Sequence, residues 1–184
     1  MSVLGIDPGT RRCGYAVVDR RGTRLVRIAS GVLAVGDGPM AERLGTLLDA
    51  LLRLADGAGV EAVAVETAYC GRSARSALAL GLARGVALAA AARAGRPVYE
   101  YAPAEVKRAF TGSGRAEKAQ MVSTARMLFG LSPRLPDEAD ALAVAVCHLA
   151  RGALRPLAPS RPAAGAAAAA SRLRPSVRRF AGAP

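Results

Sequence analysis

The sequence is short of the residues that staple or anchor a fold. Its three cysteines, Cys13, Cys70 and Cys147, are odd in number, far apart and free of any C-x-x-C pair. Neither a disulfide framework nor a cysteine zinc site is therefore expected, and each reads as a small apolar residue of the interior in a chain suited to a reducing cytoplasm. Long apolar runs are also scarce. The most apolar stretch, residues 77–92, contains Arg84 and falls short of the roughly 20 residues that span a bilayer, so it reads as a buried helix. No charged segment followed by an apolar run opens the chain, and export is not expected. Acidic residues are missing altogether after Asp140.

What is abundant is positive charge. The chain has 26 Lys+Arg against 14 Asp+Glu, a net charge of +12 on 184 residues. That excess points to a polyanionic partner or an acidic surface. More than half of it lies in residues 151–184, which carry seven basic residues and no acidic ones. The length fits one domain, which usually runs to roughly 100–200 residues.

Val3-Leu4-Gly5-Ile6-Asp7 is a short apolar run stopped by Pro8-Gly9, and Tyr15, Val17 and Val18 mark a second strand before Arg20-Arg21-Gly22. A third strand is expected over residues 24–35. Leu44, Leu47, Leu48, Leu51, Leu52 and Ala55 then follow the i, i+3, i+4, i+7 spacing of an amphipathic helix ended by Gly57 and Gly59. Residues 61–66 form a compact strand, and a strand after a helix suggests a parallel crossover. Residues 73–93 read as a helix of Ala, Gly and Leu that can lie very close to another element, a second subunit being one candidate. Residues 97–101 predict a further strand, and residues 103–110, 116–129 and 137–151 predict three helices. Residues 152–184 are Ala, Pro, Arg and Ser with few large apolar side chains. Such a composition cannot offset its ordering entropy by burial, so a basic tail without fixed structure is expected beyond a single domain, residues 1–151.

Two acids end apolar strands, Asp7 and Glu66. In a parallel sheet the C-terminal strand ends open onto the ligand crevice, so the two acids share a site if their strands are neighbours. Asp137 and Asp140 stand three apart in the first turn of the last helix, on one face and at the end that favours negative charge. Four converging carboxylates repel unless a cation neutralises them, and oxygen-only ligands suit Mg²⁺ or Mn²⁺. From spacing alone, helix capping by the two aspartates and a surface ion pair for Glu66 remain an open alternative.

The ordered string resembles the RuvC family of Holliday junction resolvases over about residues 2–150. The resemblance is carried by Leu4-Gly5-Ile6-Asp7-Pro8-Gly9-Thr10 with Gly14-Tyr15, by Ser76-Ala77-Leu78, Leu80-Gly81 and Ala83-Arg84-Gly85-Val86, and by Asp137 with Asp140-Ala141-Leu142-Ala143. Residues 112–120, with Ala116-Glu117-Lys118, match as well. Each segment is weak by itself, but all of them in order are specific. The resemblance implies an α/β, ribonuclease H-like fold: a mixed five-stranded sheet flanked by helices. It implies a homodimeric, Mg²⁺-dependent endonuclease that makes paired nicks across four-way junctions, working with the RuvA-RuvB branch-migration complex. Its acidic cluster falls on Asp7, Glu66, Asp137 and Asp140, and some members place His at the position of Asp137.

The same resemblance gives the two lysines, Lys107 and Lys118, positions that serve DNA binding or catalysis. In a chain with 24 arginines, lysine kept there suggests a need for a compact ammonium near the scissile phosphate. Tyr69 matches an aromatic that contacts bases at the opened junction, and any flat ring can stack on an unpaired base. Arg11, Arg12, Arg72 and Arg75 are candidate phosphate contacts, and Leu80, Leu82 and Val86 are candidate dimer contacts. His148, eight residues after Asp140, reads as a packing residue. Glu100 ends a strand and can approach the cluster, but the motif does not include it. Three competing readings stand beside this one: a nuclease of the same fold with another substrate, an inactive junction binder, and an ATP-binding hairpin like that of actin-like sugar kinases.

Overall fold

Val3, Leu4 and Ile6 are almost wholly buried, as expected of a strand covered on both faces. The strand they form, β1 (Ser2–Asp7), lies at the centre of a five-stranded sheet. The computed structural model describes residues 1–57, 59–67, 73–130 and 136–151. Tyr69, Arg72, Cys70 and the basic tail, residues 152–184, fall outside the described residues.

The other strands are β2 (Arg12–Arg21), β3 (Arg24–Ala34), β4 (Ala62–Glu66) and β5 (Val98–Tyr101). Their order across the sheet is β3-β2-β1-β4-β5. β2 runs antiparallel to both β1 and β3, whereas β4 and β5 run parallel to β1. Helix α1 (Met40–Asp56) makes the crossover to β4, and α2 (Ala74–Arg93) makes the crossover to β5. Helices α3 (Pro103–Thr111), α4 (Lys118–Phe129) and α5 (Pro136–Arg151) follow. This is the mixed sheet flanked by helices that the sequence leads one to expect.

Alternation along the strands divides the interior into two layers. Leu4, Ile6, Val63 and Val65 face α1 and α2, packing against Leu47, Leu51, Ala83 and Ala87. Val3, Ala62, Ala64, Tyr99 and Tyr101 face the other three helices, against Val106, Phe110, Met121 and Leu142. Each large side chain buried in this way stabilises the fold by about 1.5–3 kcal/mol.

Helix α5 is the most deeply placed, with every residue from Ala141 to Leu149 buried. It reaches this depth because β1 offers it glycine: a β-carbon on Gly5 would stand 2.6 Å from the Ala145 amide nitrogen. Cys147 and Cys13 are both buried and free. His148 has no exposed surface; its Nδ1 lies 2.7 Å from the Tyr101 hydroxyl, and Tyr99 packs on its ring at 4.4 Å between centroids. The packing reading of His148 fits this setting.

One boundary and one burial expectation differ from the sequence reading. Helix α4 starts at Lys118 rather than 116, because Glu117 is extended (φ −84, ψ 164) and Ala116 is drawn into the core. Helix α2 covers 20 residues, long and apolar enough by length and composition to cross a membrane. It is not the wholly buried helix expected for residues 77–92: one face packs on the sheet and α1 through Ala83, Ala87, Ala90 and Ala91, while Leu78 and Leu82 are exposed, because the helix lies on the outside of the sheet layer.

Candidate active site

The parallel pairing of β1 with β4 sets Ile6 beside Val65, so the next residues, Asp7 and Glu66, emerge together at the strand ends. On β5, Tyr101 pairs with Glu66 and Glu100 with Val65. From the other side the first turns of α5 bring Asp137 and Asp140, both half-buried. Glu138, between them, turns away and accepts a hydrogen bond of 2.6 Å from the Ser30 hydroxyl, which ties the start of α5 to β3. All four site acids line one cleft of about 730 Å³.

The electrostatics of the cleft follow from that crowding. Burial, then the charges of Glu66, Asp140 and Asp137, push the Asp7 carboxyl up to about 8, against an opposing pull from Lys118. Burial and Asp140 raise Glu66 to about 7, while Lys107 acts in the opposite sense. Asp140 is raised as well, by burial first, with both lysines opposing. Lys118 opens α4 at the cleft wall, and Lys107 lies on α3 close enough to act on two of the acids. The two lysines of the chain thus both attend the acidic cluster.

The donor set suits a hard divalent cation. It is made only of carboxylate oxygens, and Asp137 Oδ2 is buried without a hydrogen-bond donor. The Arg12 Nε is its nearest charge partner, at 3.4 Å. Among the described residues no three His, Cys, Asp or Glu side chains already surround a common point. Mutual repulsion holds like charges apart, and acids that retain protons near neutrality are those a cation would deprotonate and draw in.

The remaining sequence candidates are dispersed. Arg11 and Arg12 sit exposed on the rim of the cleft, Arg11 facing Asp37 at 3.4 Å. Arg75 borders a neighbouring hollow with Arg43, Leu78 and Leu82. Leu80 lines the acidic cleft itself, Val86 packs against the core, and Leu82 is 39% exposed. Tyr69 and Arg72 lie outside the described residues.

Sequence reasoning passed over one pair. Arg84 of α2 lines the cleft, and its Nε donates to Glu100 Oε1 at 2.5 Å. The available signal was a single arginine inside an apolar helix and a single glutamate between two tyrosines of a buried strand.

Comparison with known proteins agrees with this geometry. The family described as "Crossover junction endodeoxyribonuclease RuvC" matches residues 3–148. A crossover junction endodeoxyribonuclease RuvC from Anaeromyxobacter dehalogenans (strain 2CP-C) is 63% identical over 190 residues, covering 100% of both chains. The protein of that name from Myxococcus xanthus is 46% identical, over 97% of this chain and 98% of its own. Among solved structures, T. thermophilus RuvC in complex with Holliday junction substrate superposes with a TM-score of 0.76 at 37% identity, over 82% of this chain and 94% of that one. With its four acids at the ends of the sheet and α5 and this likeness along its length, the chain belongs to the RuvC family of crossover junction endodeoxyribonucleases.

Proposed function

We propose that this chain resolves Holliday junctions, making symmetric paired nicks in four-way DNA during recombination and repair by water attack on the phosphodiester. The observation that carries the reading is the meeting of Asp7, Glu66, Asp137 and Asp140 in one cleft attended by Lys118. The nuclease is metal-dependent. We assign the ion as Mg²⁺, two per subunit with Mn²⁺ able to substitute, because hard divalent cations take oxygen ligands. Asp7, Glu66, Asp137 and Asp140 would hold such ions, which would supply an activated water and charge stabilisation for the leaving 3′ oxygen.

The chain's own residues do the rest. The four acids present the carboxylate oxygens that would hold the ions. Lys118 and Lys107 balance the cluster and meet the approaching phosphate as compact ammonium groups. Arg11, Arg12, Arg72 and Arg75 contact backbone phosphates on either side, and Tyr69 stacks on a base at the opened junction. The basic residues of 152–184 add general attraction for DNA.

A junction has two strands to cut, and one cleft makes one nick. The working unit is therefore a homodimer whose two-fold axis matches that of the junction, with Leu82 on the exposed side of α2 as the leading contact. The enzyme acts in the cytoplasm alongside the RuvA-RuvB branch-migration complex.

The test compares cleavage of a mobile four-way junction with plain duplex and with RNA–DNA hybrid. Paired cutting of the junction alone is expected. Preference for the hybrid would favour a ribonuclease H activity, and tight junction binding without cutting would favour an inactive binder.

A further inference from the structure

Arg84 is the one charged residue in the apolar core of α2, residues 77–92, and it reaches the wall of the acidic cleft. Its partner Glu100 lies on β5, on the sheet face that carries Val65 and is covered by α2. The Glu100 side chain is 9% exposed and that of Arg84 34%. Only one edge of the guanidinium is taken, because Glu100 accepts from Nε. Among the described residues, neither terminal amino group of Arg84 has a protein acceptor.

We propose that Arg84 is a phosphate contact at the cutting site and that Glu100 is the positioning residue that aims it. The proposal rests on reading the cleft as the nuclease centre. A long, freely jointed cation beside four carboxylates would collapse onto them and compete with the metal. Glu100 prevents this by holding Nε from the opposite face of the sheet. The guanidinium therefore keeps its outer edge for an anion, and two parallel N–H groups match two phosphate oxygens.

The alternative is that the pair merely staples α2 to β5. A partly buried ion pair is weak evidence for stability and can often be replaced by apolar residues of similar volume. That property supplies the experiment. The double variant Arg84→Met/Glu100→Leu removes the charges but keeps the packing, and Arg84→Lys keeps the pair while removing the planar fork. Melting is followed by circular dichroism, and single-turnover cutting of a saturating four-way junction is measured with Mg²⁺.

The expected result is a double variant that melts within a few degrees of the parent and cuts about 100-fold more slowly, the scale of losing one fixed donor to a developing charge. Arg84→Lys should recover only part of the rate, and the salt slope of junction binding should fall by about one in the double variant. Parental cutting by a folded double variant overturns the proposal. If the double variant does not fold, parental cutting by Arg84→Lys overturns it instead. A parent that cuts no junction would overturn the nuclease reading and this inference together, an outcome separate from either variant result.

Discussion

Gly14 of β2 lies so close to the Asp137 carbonyl oxygen that no β-carbon fits between them. The start of α5, and with it the placement of Asp137 over the strand ends, depends on that missing side chain. Gly14→Ala forces the helix start outward. Overpacking of this kind costs about 1–3 kcal/mol. A displacement of about 1 Å at a catalytic group costs on the order of 100-fold in rate. Gly45 on α1 is the contrast, since a β-carbon there meets nothing within 4 Å. Gly45→Ala should stabilise by about 0.5–1 kcal/mol. Denaturant unfolding and cutting rates of both variants check the pair.

The acids should serve catalysis more than affinity, since carboxylates repel DNA and basic residues hold it. Asp7→Asn is expected to bind junctions at least as tightly as the parent and to cut none. Gel-shift and cleavage assays on the same preparation decide it. A folded variant that loses binding along with cutting would count against the assignment.

Protonation of the cluster should make stability depend on pH and metal together. Asp7 is raised to about 8 and Glu66 to about 7 from ordinary values near 4. The folded state therefore holds protons that the unfolded chain has already released, and without metal it loses stability as pH rises from about 4 to about 8. His148, whose pKa burial lowers from 6.5, contributes the opposite slope but only on the acid side of that value. Thermal melts in chelator from pH 6.5 to 8.5 should show a falling midpoint. Mg²⁺ should raise the midpoint more at pH 8 than at pH 6.5, and Asp7→Asn should blunt both effects.

Residues 152–184 should matter for general attraction rather than chemistry. Deleting them is expected to weaken binding to any DNA and to flatten its salt dependence, leaving the cleavage pattern intact. Binding isotherms across a salt series read this directly. Loss of cutting at saturating junction would give the tail a different role.

The three apolar candidates on α2 should separate by where each one lies. Leu82→Glu, on the exposed side, should give folded monomers in sedimentation that nick one strand per encounter. Val86→Glu places a charge against the core and should unfold the chain, a loss of several kcal/mol. Leu80→Glu adds a carboxylate to the acidic cleft and should disturb metal dependence while leaving the dimer intact. Folded Leu82→Glu monomers that still make paired nicks would refute a dimer built on this helix.

Much was legible in the sequence because it is local. Alternation in β1 and β4, the leucine spacing of α1, the turn at Pro8-Gly9 and the pair Asp137 and Asp140 depend on neighbours along the chain. So do the strand-end positions of Asp7 and Glu66, and the ordered motifs pointed to the family. Other features arise only when distant segments meet. That β1 and β4 are adjacent and parallel was a condition in the sequence and a fact in the fold, since strand order is settled by how α1 and α2 pack. The contact of Gly14 with Asp137 joins residues 123 positions apart, and nothing in either local pattern anticipates it. The raised carboxyl of Asp7 needs burial first and then three other acids gathered around it. Arg84 stood in a family motif without a role of its own and Glu100 was a strand-end acid outside that motif; only the packing of α2 across β5 made them a pair and brought Arg84 to the cleft wall.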